Sequence, residues 1–510
     1  MSRFPLLHTC GVLATAAALS ACSGPGGLRS APDIDTLTAT DAAARICSGA
    51  LTSEALVQAY LLRAKARPEL NAFVTLDEVG ALQAARAADQ RRAQGRACLP
   101  LEGVPIVVKD NIHARGLPAT AGTPALKNFV PTADAPVLQK LRDAGAIVLG
   151  KTNLHELAFG ISGYNPAFNT GPQPGVRNAY DASKMAGGSS AGSAAALGAR
   201  MAPAGLGTDT GGSLRIPCAL NGCAALRPSM GRYPQAGIAP ISHTRDTAGP
   251  MAVAMTDVEL LDRVVTGAPA LLPADLKAVR LGVVPGFLAN LDSDTRGAWD
   301  ASLARLKAAG VTVVDVAMPQ LADLNGKVGF PVALYEAYDD MVAYLARYNT
   351  GISINQMAAS IASPDVKGTY DALVIPRKLP GPNGLVDAAP IYQAAMAVHR
   401  PALVRLYADT FAGQRLDALV FPTVPRTALP ATPETSSLAN FGLFIQNTDP
   451  GSNAGIPGLQ LPMGLGASSR MPVGLELDGP AGSDRRLIAI GLALEKVLGR
   501  LPAARANPAP

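Results

Sequence analysis

Apolar residues recur at helical spacing near the start of the chain and later condense into short unbroken runs separated by glycine and proline. Residues 33 to about 95 read as helices. TSEALVQAYLLRAKA carries an N-cap at Thr52 or Ser53, and VGALQAARAADQRRAQG is a second helix that ends at Gly95. In LEGVPIVVKDNI the run from Pro105 to Lys109 predicts a short buried strand. DAPVLQKLRDAGAIVLGKTN reads as helix, Gly145, strand, which is the alternation of a βα unit. MTDVELLDRVVTG is helical, and VRLGVV, a helix from Thr295 to Ala309 and VTVVDVAMP form a β-α-β pattern. Residues 320 to 410 look mostly helical and carry a loop, PRKLPGPNGLV. LDALVFPTVP is a strand with a proline stop, and PVGLELDG with the helix DRRLIAIGLALEKVLGR closes the fold. No tandem repeat is visible. The pattern predicts one α/β domain over residues 35–500, with 325–400 as a helical cover and 501–510 as a disordered tail.

Composition narrows the function. Of 510 residues 48% are hydrophobic and 16% charged, which supports a large core and excludes disorder. Net charge is +5 without a Lys/Arg block, and one Trp is present, so nucleic acid is not an expected partner. MSRFPLLH followed by the apolar CGVLATAAALSA has the two leading parts of a secretory signal, over residues 1–21. Leu19-Ser20-Ala21-Cys22 resembles the bacterial lipobox, in which the cysteine is lipidated, and residues 22–34 read as a flexible tether. The expectation is an exported protein, periplasmic or anchored to the outer membrane through Cys22 alone. Its oligomeric state is open. Export makes disulfides admissible: Cys47 and Cys98 flank the N-terminal helical region and are a candidate pair. Cys218 and Cys223 in PCALNGC are expected as buried thiols, because five residues of helix rise ~7.5 Å and strain a bridge. No spacing suggests a metal site.

Two strings mislead. Gly145 to Thr152 spells GxxxxGKT, but its four variable positions are Ala-Ile-Val-Leu, the strand itself, and no helix opens at Lys151. Gly188 to Gly192 spells GxSxG, but the polar VRNAYDASKMA precedes it where a nucleophile elbow needs a strand. More informative is GTDTGGSLRIP, whose consecutive N–H groups at Thr210, Gly211, Gly212 and Ser213 suit an oxyanion hole. Lys109, ending an apolar run, is a candidate base because burial disfavours the ammonium form. Ser189 is a candidate relay, since a hydroxyl both donates and accepts. Asp110 beside the lysine is either an ion-pair partner or exposed.

VVKDNI, GGSSAGS, GTDTGGSLRIP and DTAGPMA, in that order along the chain, resemble the amidase signature family. The likeness is strong over roughly 40 to 265 and recurs at LDALVFPTVP and MPVGLELDG. It implies an α/β/α sandwich with a mixed central sheet covered on both faces. It implies Ser213 as nucleophile, Lys109 as base, Ser189 as a serine held by a cis peptide, and Asp209, Arg215 and Ser190 as supports around them. No cofactor or metal is implied. Two departures are Ala191 in place of the usual glycine and ALRPSMGR in place of Gly-Leu-Lys-Pro-Thr. The latter looks most like the mandelamide and indoleacetamide hydrolase branch. The reading is an acyl-enzyme hydrolase of linear carboxylic amides, aryl or alkyl. The alternatives are a carbamate or ester hydrolase with the same triad, the amidase subunit of a tRNA-dependent amidotransferase, and a non-catalytic envelope lipoprotein. Phe159, Tyr164, Phe168 and Phe421 are the aromatics placed in the substrate pocket or, equally, in the core.

Overall fold

A computed structural model describes residues 32–169 and 173–505. The signal segment, Cys22, most of the expected tether and residues 506–510 lie outside the described residues. Among the described residues thirteen strands form: β1 (Phe73–Leu76), β2 (Pro105–Lys109), β3 (Ile147–Thr152), β4 (Ala204–Asp209), β5 (Ala224–Arg227), β6 (Thr247–Ala252), β7 (Arg280–Val283), β8 (Thr312–Asp315), β9 (Lys378–Gly381), β10 (Gly384–Asp387), β11 (Ala418–Pro422), β12 (Gly458–Leu465) and β13 (Pro472–Asp478). Eleven join one mixed sheet in the order β1-β3-β2-β4-β6-β5-β12-β13-β11-β7-β8. Strands β3, β2 and β4 run parallel to one another, as do β11, β7 and β8, while the middle of the sheet is antiparallel.

The central strands are buried along their whole length, so both faces of the sheet must be covered. Helices Ala191–Gly198 and Arg215–Asn221 pack on one face, and Met255–Thr266, Ser293–Ala308 and Asp484–Leu498 on the other. The fold is therefore an α/β/α sandwich. Ala191–Gly198 is buried at every position, which its run of Ala, Gly and Ser permits.

Local signals account for most elements. Thr52 caps helix Ser53–Lys65 by accepting from the Ala55 N–H at 3.2 Å. Strands β4, β5, β6 and β12 are rich in glycine, alanine and proline, so their side chains carry little β preference; burial between helix layers decides them. Strand β1 interrupts the stretch expected to be helical, its Phe-Val-Thr run following a left-handed turn at Asn71. The PRKLPGPNGLV loop is instead a hairpin, β9 against β10, turning at Pro382-Asn383. Around it the helices Leu321–Arg347, Ile354–Ala359 and Pro364–Thr369 enclose a core of their own, built from Met341, Tyr344, Met357, Val366 and Tyr370 and seated on Ala121, Leu126 and Leu157.

Two disulfides are formed among the described residues. Cys47 pairs with Cys98, 51 residues apart in sequence. Cys218 pairs with Cys223, which corrects the expectation of free thiols. The helix stops at Asn221, and Gly222 at φ +72 turns the chain back so that the Cys223 N–H donates to the Cys218 carbonyl at 3.1 Å. The two Cα atoms then lie 4.7 Å apart rather than a helical rise apart. The longer link restricts the unfolded chain more. Cys47→Ser is expected to cost about 2–4 kcal/mol, read as a lower urea midpoint. An unchanged midpoint would refute the pairing.

Candidate active site

Strands β2 and β4 lie side by side and parallel, with Val108 opposite Leu206, so their C-terminal ends open at the same edge. Lys109 is the last residue of β2 and is fully buried. Its Nζ lies 2.7 Å from Ser189 Oγ and 2.7 Å from Thr208 Oγ1. Asn111 Nδ2 donates to the same Thr208 hydroxyl at 3.1 Å. No carboxylate lies within 4.0 Å of this amine among the described residues. Burial brings its pKa down to about 7, against the opposing pull of Asp209 and Asp246.

Ser189 follows a cis peptide bond from Gly188 and is itself fully buried. The next residue ties two segments together. Ser190 N–H donates to the Ser213 carbonyl at 3.1 Å, and Ser190 Oγ donates to the Thr208 carbonyl at 3.1 Å. Ser213 is thereby held beside the Ser189–Ser190 pair, yet it is half-exposed and lines a cavity of about 490 Å³.

The turn from Thr210 to Ser213 is fixed by a carboxylate. Asp209 accepts from the Gly212 N–H at 2.8 Å, the Leu214 N–H at 3.1 Å, Arg215 Nε at 3.0 Å and Arg227 Nη1 at 2.9 Å. Burial alone would raise its pKa, but Arg215 and Arg227 hold it well below the usual carboxylate range. Arg215, fully buried, also donates to Glu476, to Ser452 Oγ at 2.7 Å and to the Thr448 carbonyl at 3.0 Å. Burial opposes its charge, and Asp209 and Glu476 outweigh it, so its pKa is raised. The expected four-donor hole is corrected here: the Gly212 N–H is committed to Asp209, leaving Thr210, Gly211 and Ser213 as its candidates. Gly212 is at φ +141, and a Cβ on it would come within 2.2 Å of Thr448 Oγ1.

Of the four aromatics expected at the pocket, Phe159 lines it, with Tyr370 edge-on at 5.2 Å behind. Phe421 is not there: it is fully buried on β11 and stacks on Phe287 at 4.2 Å in another core. Tyr164 and Phe168 lie outside the lining, in the loop that follows β3, where Asn153 Nδ2 donates to the Phe168 carbonyl at 2.7 Å. The walls come instead from Phe330 on the long cover helix, from Leu373, and from Phe441 and Ile445 on helix Leu438–Ile445. Nothing local in those segments marks them as lining. Thr208 is a missed support: it lies on the glycine-rich β4, whose residues give no local strand signal, and only pairing with β2 brings it beside Lys109. Asp246 is a second missed support. It accepts from Thr210 Oγ1 at 2.6 Å and from the N–H groups of Ile241 and Ser242 at 2.7 and 2.9 Å.

The misleading strings resolve as structure. Lys151 is a buried residue of β3, 3.1 Å from Asp110, and donates to the Pro118 carbonyl at 2.9 Å. Asp110 is thus an ion-pair partner.

The family model described as Amidase matches residues 55–488. A mandelamide hydrolase of Pseudomonas putida is 46% identical over 468 residues, covering 91% of this chain and 92% of that protein. An indoleacetamide hydrolase of Agrobacterium vitis is 40% identical over 87% of this chain and 93% of its own length. Among solved structures, the native peptide amidase of Stenotrophomonas maltophilia superposes with a TM-score of 0.76 at 30% identity, covering 92% of this chain and 99% of that one. The chain belongs to the amidase family, and it is an enzyme that hydrolyses amides.

Proposed function

We propose that Ser213, Ser189 and Lys109 form the catalytic triad of an acyl-enzyme amidase, and that its substrates are primary amides of small aryl-substituted acids. One observation carries the reading: an amine without a contacting carboxylate, fully buried, 2.7 Å from the Ser189 hydroxyl. The free amine takes the Ser189 proton while Ser189 takes that of Ser213, whose Oγ attacks the amide carbon. The N–H groups of Thr210, Gly211 and Ser213 receive the oxyanion. Collapse breaks the C–N bond, and the proton returns through Ser189 to the leaving nitrogen, releasing ammonia. Water then repeats the sequence on the acyl-Ser213 ester and frees the acid and the serine. Asp209 and Arg215 hold the turn, and Ser190 ties it to Ser189.

The substrate class follows from the pocket and the relatives. Phe159, Phe330, Leu373 and Phe441 line a largely apolar space of about 490 Å³, enough for an aryl group and an acetamide arm. The names of the two hydrolases above describe amides of that kind.

We also propose export and lipid anchoring at Cys22. The lipobox-like Leu19-Ser20-Ala21-Cys22 supports it, as do two disulfides, which suit an oxidising compartment.

Ser213→Ala and Lys109→Ala should each lose at least ~10³-fold in kcat with the fold retained, measured as amide turnover beside circular dichroism. Near-normal rates in either variant reject the triad. Because the base acts as the free amine, kcat/KM should climb tenfold per pH unit at low pH and level off near 7. A flat profile from pH 5 to 8 would contradict it. The same amine has a stability signature. The unfolded chain binds its proton near pH ~10.4 and the native one only near 7, so the native state is disfavoured increasingly as pH falls between them. Lys109→Met should therefore unfold at higher temperature than the parent, with a gap that widens from pH 10 to 7 and stays constant below.

Phe330→Ala should raise KM for an aryl acetamide roughly tenfold and leave acetamide itself unaffected, in steady-state kinetics. Cys22→Ala should become extractable into the soluble envelope fraction by a salt wash that leaves the lipidated parent on the membrane.

A further inference from the structure

A second cavity, of about 720 Å³, lies where the chain enters the fold, bounded by Asp35 and by the C-terminal run from Arg500 to Arg505. Arg63, Arg67, Arg200, Arg500 and Arg505 line it, against the single carboxylate of Asp35. Structural duties absorb some of these charges. Arg63 pairs with Asp35 at 2.9 Å, and Arg67 pairs with Glu69 at 2.5 Å. Arg200 is 4% exposed and donates only to carbonyls, those of Asp35, Leu197 and Leu501 at 3.1, 2.9 and 2.8 Å. Among the described residues, Arg200, Arg500 and Arg505 have no carboxylate within 4.0 Å. Glu495, the acid whose charge Arg500 influences, is turned to the Met255 N–H at 2.8 Å. Burial, with the nearby charge of Arg500 adding to it, pushes the Arg200 guanidinium below its usual range. Arg200 is occupied by carbonyls, so the cavity leaves the exposed Arg500 and Arg505 to offer guanidinium donors, and that pair suits phosphate oxygens.

We propose that this cavity receives the phosphate groups of an anionic membrane surface. The choice of a membrane over a free anion rests on the export reading above and on the rim. Leu62, immediately before Arg63 and one helical turn before the cavity-lining Ala66, is 69% exposed. An exposed leucine among arginines suits the headgroup layer, where the apolar side chain and the charges are both satisfied. Asp35 lies thirteen residues after Cys22, a reach of at most ~45 Å, so an acyl chain there keeps the cavity near the bilayer. Among the described residues no helix is long and apolar enough to cross a membrane, so contact of this face is peripheral.

The test uses the processed chain from residue 22 carrying Cys22→Ser, which bears neither lipid nor the apolar signal segment, sedimented with vesicles of phosphatidylglycerol or of phosphatidylcholine. Binding to the anionic vesicles only, weakened by salt, is expected, and Arg500→Glu with Arg505→Glu should weaken it at least tenfold. Amide turnover of that variant should equal the parent's, which shows that it is folded; if it is not, Arg500→Gln with Arg505→Gln replaces it. Equal binding by variant and parent, or no preference for the anionic lipid, overturns the proposal. So does stabilisation by inorganic phosphate at matched ionic strength without vesicle binding, which assigns the cavity to a free anion. Loss of the Cys22 anchor in cells is a separate outcome, because no acyl chain takes part in the vesicle experiment.

Discussion

Removing one amine from water is the constraint around which the catalytic half of this molecule is arranged. Lys109 ends a strand buried on both faces and meets two hydroxyls rather than a carboxylate. The sheet holds a useful internal contrast. Lys151, on the adjacent strand, is equally buried but sits 3.1 Å from Asp110. Burial pushes that lysine down and that aspartic acid up, and their mutual contact opposes both shifts. One lysine contacts only hydroxyls; the other is held in a charge pair that ties two strand ends together. Two lysines that look alike by burial are separated by a single contacting group.

The turn that carries Ser213 depends on charges of the opposite kind. Asp209 gathers two N–H groups and two arginines, and Arg215 carries the network on to Glu476 across the sheet on β13. Broken buried pairs are costly because the remaining charge has no water to turn to, so this knot gives the turn a single geometry. Rigidity matters here because donors must already point at the place where negative charge will develop.

Much of this was legible in the chain. The strand ending at Lys109, the helix and strand around Gly145 and the two Ser-Gly blocks announce themselves through local rules. What escaped did so for physical reasons. Gly-rich strands such as β4 carry no side-chain signature and exist because neighbours bury them. Cys218 and Cys223 were judged by helical rise, whereas Gly222 ends the helix between them. Phe421 satisfied the composition of a pocket residue but lies in the far half of the sheet, and Phe330 and Phe441 are pocket residues that only long-range packing brings to Ser213.

The pocket walls and the buried lysine with its serines therefore come from different stretches of the chain. Lys109, Ser189, Thr208 and Ser213 fall within about the first two-fifths of the sequence, while Phe330, Leu373 and Phe441 belong to the cover and to a later helix. A substitution in the later segments reshapes the walls without touching the Lys109–Ser189 contact. A lineage built this way can change its diet while inheriting its chemistry intact.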